Sequence, residues 1–244
     1  MKRDCVCLLR ILVDSIPKFI RNSKILFKFS KLIFDIPESL FSFREKYNKG
    51  EIKDLSIFYS EHKKIALKRI SKDTDINSFH LRIIKKYFKS IVPKSLLDAG
   101  CGSGYLLELF KKLNPSTNLV GIDYVYPLLK DSKIKVIEGD ILNTLNGFIE
   151  NSFEFVICAH VIEHLSNADK VVMELRRVCS KVLIIICPIE KQLKWGMNYH
   201  INFFESKNSF INFINNTKSN DPNNNNNYKS YYLLGDLMYI EYIN

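Results

Sequence analysis

Ser95-Leu96-Leu97-Asp98-Ala99-Gly100-Cys101-Gly102-Ser103-Gly104-Tyr105 decides how the rest of the chain is read. A short apolar run ends in an aspartate and then breaks into three alternating glycines. Tyr105, Leu106, Leu109, Phe110 and Leu113 follow at helical spacing, with Glu108, Lys111 and Lys112 on the opposite side. The pattern is strand, tight loop, helix. Glycines permit backbone angles closed to other residues and let a ligand approach the main chain. The open N–H groups of a helix start attract a negative group, a phosphate or a carboxylate. A dinucleotide fingerprint places its third glycine three residues after the second. Here Gly104 comes one residue early, and Tyr105 stands where that glycine would be.

Outward from this loop the chain alternates regularly. Strands are expected at 95–99, 118–123, 134–138, 153–159 and 181–187, and helices at 105–113, 125–130, 142–149 and 167–178. Strands alternating with helices make a parallel sheet covered on both faces, and the short apolar strand runs fit that burial. A helix is expected at 205–216. Five asparagines at 223–227 form a low-complexity loop with no capacity to build a core. Tyr228 to Leu234 and Leu237 to Ile243 then read as a closing hairpin around Gly235-Asp236.

Upstream the character changes. Residues 1–94 hold 22 Lys+Arg against 10 Asp+Glu, a balance of +12, whereas residues 95–244 hold 14 against 16, a balance of −2. The whole basic excess of this +10 chain therefore precedes the glycine loop. Residues 15–34 read as a basic amphipathic helix, with Ser15 as its cap and Pro17 in its first turn. Lys18, Arg21, Lys24, Lys28 and Lys31 line one side, and Phe19, Ile20, Leu26, Phe27, Ile33 and Phe34 the other. Such a helix lies on an anionic membrane surface, caps the main domain, or binds nucleic acid through its lysines; no aromatic or arginine-rich reading motif stands beside it, and the cap is the favoured role. Further helices are expected at 55–70 and 78–90, the second capped by Asn77 or Ser78. His80 near its start either lines a pocket or lies at the surface, and the surface is the expected place. The division expected is a basic helical N-terminal extension, 1–77, and a main domain, 78–244.

Composition bounds the class. An apolar content of 46% supports a sizeable core. No apolar run approaches the roughly 20 residues that span a bilayer. Cys5 to Val13 is too short, and too interrupted by Arg10, for a secretory signal. A cytoplasmic protein, in contact with a membrane at most peripherally, is expected. The six cysteines include no C-x-x-C pair, so no metal site is expected, and no disulfide framework.

The stretch Asp98-Ala99-Gly100-Cys101-Gly102-Ser103-Gly104 resembles the first motif of class I S-adenosylmethionine-dependent methyltransferases. The resemblance runs from about residue 78 to the end, and its other motifs support the first by order and spacing. It implies a doubly wound, mostly parallel seven-stranded α/β sheet with a C-terminal antiparallel hairpin. It also implies S-adenosyl-L-methionine as cofactor. By that resemblance Asp98 orders the loop near the cofactor's amino group, and Gly100, Cys101, Gly102 and Gly104 offer their backbone. Asp123 ends the second strand, 19 residues after Gly104. An acidic group there accepts ribose hydroxyls in nicotinamide and methionine cofactors alike. Tyr124 would pack on the adenine or stay an ordinary exposed aromatic. In Glu138-Gly139-Asp140-Ile141, the Asp140 carboxylate would accept from the adenine amino group and the Ile141 N–H would meet the ring. Ala159 and His160 would lie beside the transferred methyl.

Glu163-His164-Leu165 after the fourth strand, and His200 ahead of Phe203-Phe204, also resemble the family. They make His164 and His200 candidate bases for an oxygen or nitrogen acceptor. The competing roles are helix capping for Glu163 and His164 and a structural histidine at 200. The expected activity is methyl transfer to a small-molecule, lipid or glycan-precursor acceptor. No polymer-reading element is visible, so no nucleic-acid partner is expected. The alternatives are a non-catalytic cofactor-binding protein and a nicotinamide-dependent oxidoreductase. The early third glycine and the terminal hairpin oppose the latter.

Overall fold

The computed structural model describes residues 3–23, 38–52, 55, 74–125, 129, 133–192, 198–218 and 227–243. The expected helix at 55–70, the helix at 125–130 and the asparagine tract lie almost wholly outside these residues. Five parallel strands form first: β1 (Ser95–Ala99), β2 (Asn118–Asp123), β3 (Lys135–Glu138), β4 (Phe153–Ala159) and β5 (Cys179–Pro188). β6 (Tyr228–Leu233) and β7 (Asp236–Tyr242) close the sheet as an antiparallel hairpin. The spatial order is β3-β2-β1-β4-β5-β7-β6, with β7 antiparallel to β5. The order reverses between β1 and β4, and ligands of doubly wound sheets bind beyond the carboxyl ends of the strands at that switch.

Side-chain alternation builds a core on each face of the sheet. Leu97, Val120, Val156, Cys158, Leu183, Ile185 and Cys187 point to one side. There they pack against α6 (Ile141–Asn146), α7 (Ala168–Val178) and α8 (Lys207–Asn216). Leu96, Leu119, Phe155, Ile157, Val182, Ile184 and Ile186 point to the other. They meet α4 (Ser78–Ile91) and α5 (Tyr105–Leu113), where Phe88 stacks on Phe110 with ring centroids 4.4 Å apart. The central strands are buried on both faces, which is why they read as apolar runs rather than alternating ones. Most expected boundaries hold, several to the residue. β5 is longer than 181–187, and α6 stops at Asn146 instead of reaching 149.

The N-terminal segment departs from the expected continuous basic helix. α1 (Arg3–Ser15) is followed by a break at Ile16-Pro17 and the single turn α2 (Lys18–Arg21). Ser15 donates its hydroxyl to Leu12 O at 2.6 Å and ends α1 instead of capping a helix ahead of it. Arg21 turns inward, 8% exposed, and pairs with Asp14 at 3.6 Å. Phe19 and Ile20, expected on a shielded face, are 80% and 41% exposed. Residues 24–34 of that helix lie outside the described set. No helix of the described residues is long and apolar enough to cross a membrane.

Candidate functional site

The glycine loop is shaped by the end of β2. Gly100 N–H and Cys101 N–H both donate to Ile122 O, at 2.8 and 3.0 Å. Gly100, Gly102 and Gly104 have φ of +84°, +56° and +75°, the left-handed region that favours glycine. A Cβ on Gly102 would meet nothing within 4 Å, so the main chain here borders open space. A methyl on Gly100 would drive into Cγ2 of Val161, which ties the loop after β4 directly to the loop after β1. Cys101 is turned inward: its Sγ would lie 2.9 Å from a Cβ on Gly121 in β2. Its thiol therefore points at β2.

The cofactor-side residues converge. Asp98 is buried at the end of β1. Asp123 accepts from Gly102 N–H at 2.7 Å and from Val125 N–H at 3.3 Å, so it braces the loop. Its 6% exposure leaves an edge for a ligand. Asp140 caps α6 by accepting from Asn143 N–H at 2.8 Å, and its second oxygen accepts from Tyr124 O–H at 2.5 Å. Tyr124 and Asp140 thus form one latch rather than two independent contacts. Ile141 is buried in the first turn of α6. Ala159 ends β4, and the next residue, His160, holds a φ of +55°. A left-handed backbone at a histidine is sterically costly and concentrates at functional sites.

Beyond β4 and β5 lies a group of ionisable side chains. The 3₁₀ turn Ile162–His164 buries Glu163 completely. His160 reaches Glu163 Oε1 with Nδ1 at 3.4 Å, and Asp236 with Nε2 at 3.8 Å. His164 Nδ1 lies 3.1 Å from Tyr199 O, and its Nε2 lies 4.0 Å from Glu163 Oε1. His200 Nδ1 lies 2.5 Å from Glu190 Oε1. The rings of His164 and His200 meet edge to face with centroids 4.7 Å apart. Glu163, His164 and His200 each bring one donor atom within 4.8 Å of the others, the spacing of a group that can hold a metal ion. Burial alone would raise the Glu163 pKa, but the surrounding imidazoles pull it down to about 2. Burial and the neighbouring His200 push His164 down to about 4. Burial would likewise raise Glu190, yet His200 and Arg10 hold it below its ordinary value.

Some of this was not anticipated from sequence. His80 is fully buried, not at the surface, because Nε2 meets Tyr231 O at 3.1 Å and Nδ1 meets Asn77 at 3.1 Å. Asp236 is completely buried. It gathers Arg10 at 2.5 Å, Asn77 at 3.1 Å and Cys7 Sγ at 3.4 Å. Arg44 of α3 (Glu38–Asn48) donates to Asn198, which donates to Glu190 at 3.0 Å. Helices assigned to an N-terminal extension therefore pack directly on the site's outer rim. Glu190 stands just past the carboxyl end of β5, a place that the strand-end rule used for Asp98 and Asp123 also marks. Asp236 begins an antiparallel strand, so its start lies at that same sheet edge.

Comparison with known proteins follows this geometry. A family model described as "Methyltransferase domain" matches residues 97–186, from the glycine loop to the end of β5. Ubiquinone biosynthesis O-methyltransferase of Idiomarina loihiensis is 26% identical over 116 residues, 44% of this chain and 45% of that one. The tRNA U34 carboxymethyltransferase of Campylobacter lari is 25% identical over 177 residues, covering 68% of this chain and 60% of that protein. The chain thus spans less than two thirds of the length of these curated relatives. Among solved structures, an O-methyltransferase family protein from Burkholderia thailandensis superposes with a TM-score of 0.52 at 8% identity. That superposition covers 69% of this chain and 56% of the other, a likeness of fold. The family match takes in strands β1 to β5, and the closing hairpin β6–β7 lies outside it. Residues 97–186 thus match the methyltransferase-domain family model, on a sheet with the class I, Rossmann-like strand order.

Proposed function

We propose that the protein transfers a methyl group from S-adenosylmethionine to a small acceptor held between the loops after β4 and β5. The observation that carries this reading is the packing of Val161 against Gly100, which sets the His160–His164 segment beside the glycine loop. When bound, S-adenosylmethionine would supply an activated methyl on a sulfonium, the acceptor's lone pair would take it, and the leaving group would be a neutral thioether. The chain's task is then mainly to hold donor and acceptor in line and to keep water out. Asp98, Asp123 and the Tyr124–Asp140 latch would hold the amino, ribose and adenine parts, while Gly100 to Gly104 give the backbone room. The acceptor's proton would be handled by the Glu163–His164–His200 group, whose donor atoms lie within 4.8 Å of one another.

A relative named for tRNA, together with the basic excess of residues 1–94, supports a second reading in which the acceptor is RNA. Radiolabelled methyl transfer separates the two. Small hydroxylated aromatics and other hydroxyl-bearing metabolites form one arm, and bulk tRNA the other. Turnover confined to the tRNA arm would overturn the small-acceptor reading. Tight cofactor binding with no turnover in either arm would favour a binding protein.

A further inference from the structure

Glu163, His164 and His200 come from two segments far apart in sequence, and no sequence motif joins them. Three features make them more than a polar cluster. First, Glu163 is completely buried, with its Oε1 3.4 Å from His160 Nδ1 and 4.0 Å from His164 Nε2. Its other oxygen accepts from Cys187 Sγ at 3.7 Å. A buried carboxylate that faces imidazoles costs free energy unless a positive charge meets it.

Second, both histidines are held from behind. Tyr199 O is an acceptor for His164 Nδ1–H, and the Glu190 carboxylate is one for His200 Nδ1–H. Each contact fixes the tautomer that leaves the lone pair on Nε2. Backing by a carbonyl or a carboxylate is how proteins orient metal-ligating imidazoles. Third, the donor atoms already lie within 4.8 Å of one another. Four-coordinate binding at about 2.1 Å needs separations of about 3.4 Å, an approach of at most about 1.4 Å.

We propose that Glu163, His164 and His200 bind a divalent transition-metal cation, with Glu190 and the Tyr199 carbonyl as its outer supports. One carboxylate and two imidazoles suit Mn²⁺, Fe²⁺, Co²⁺ or Zn²⁺ over Ca²⁺ or Mg²⁺, which prefer all-oxygen sites. Three protein ligands leave positions open for water or for an oxygen of the acceptor. A hydroxyl bound there would lose its proton more readily, which is the work assigned to this group above. That last role rests on the methyltransferase reading; the metal site itself does not.

The test uses the full chain and Co²⁺ alone. Purified protein is stripped with chelator, titrated with Co²⁺, and followed by visible absorption and by metal content after equilibrium dialysis. One cation per chain is expected, with d–d bands and no thiolate charge-transfer band, which separates this site from the cysteines. Glu163→Gln and His200→Gln should each weaken binding about 100-fold or more, and Glu190→Gln about 10-fold, as outer supports do. S-adenosylhomocysteine calorimetry on every variant shows that the cofactor pocket remains folded. Absence of stoichiometric Co²⁺ in the wild type would overturn the proposal, as would binding unchanged in Glu163→Gln and His200→Gln. Co²⁺ binding without cofactor binding would leave the metal site standing and sink the methyltransferase reading; the reverse result would do the opposite.

Discussion

Gly100 and Val161 form the joint between the two loops of the site, and a double-mutant cycle measures it. Ala at position 100 faces two separate penalties. Its φ of +84° is a left-handed backbone, which costs an L-residue about 1–2 kcal/mol. Its Cβ also collides with Cγ2 of Val161, and overpacking of this kind costs about 1–3 kcal/mol. Gly100→Ala should therefore destabilise by about 2–5 kcal/mol in urea unfolding and weaken S-adenosylhomocysteine binding by moving the loop. Val161→Ala deletes the colliding methyl, so in the double variant only the backbone penalty should persist. The two substitutions should couple by about 1–3 kcal/mol in the favourable direction. Additive effects within about 0.5 kcal/mol would refute the packing of these loops against one another, and with it the placement of His160–His164 beside the glycine loop.

Other consequences are sharper at single residues. Asp123→Asn keeps the shape of the Gly102 contact but would lose the charge-assisted acceptance of ribose hydroxyls proposed for this carboxylate. About 1.5–3 kcal/mol is at stake, and calorimetry should show S-adenosylhomocysteine binding about 10- to 100-fold weaker. Arg10→Met leaves the fully buried Asp236 without its cation and should cost about 3 kcal/mol, read as a lower urea midpoint at unchanged m-value. Burial lowers the pKa of His80 against the attraction of Asp236, with His160 and the Tyr231 carbonyl also facing it. Below pH 6.5 the unfolded chain therefore takes up a proton that the folded chain resists, and stability falls as pH drops through that value. His80→Gln should lose less stability than the wild type between pH 7.5 and 5.5. Phe19, exposed beside Lys18 on α2, would insert into an anionic bilayer if residues 15–34 dock there. Salt-sensitive sedimentation with phosphatidylserine vesicles should then weaken in Phe19→Asp, and equal sedimentation would remove the membrane role.

The sheet was legible because its strands are short apolar runs between helices with a clear 3.6-residue period. Three glycines and two strand-end acids mark the sheet edge proposed for the cofactor. The N-terminus was misread because periodicity alone cannot say which face meets the protein. Arg21 turns inward to Asp14 and Phe19 outward, the opposite of an isolated amphipathic helix. His80 was misplaced for a related reason: its burial depends on Tyr231, from a strand at the far end of the chain. The metal-competent group was invisible as a motif. Glu163 and His164 sit on a one-turn 3₁₀ segment, and His200 arrives from a loop after β5 that only the fold brings back. Glu190 and Asp236 stand where the strand-end rule also points, just past β5 and at the start of the antiparallel strand beside it.

The central claim is that the edge formed by the β1, β2 and β4 loops holds S-adenosylmethionine. Isothermal calorimetry of the full chain with S-adenosylmethionine, S-adenosylhomocysteine and NAD tests it directly. The account predicts one saturable site for the first two ligands, lost or strongly weakened in Asp123→Asn, and no heat from NAD. Binding of NAD alone, or of none of the three to folded protein, would contradict it.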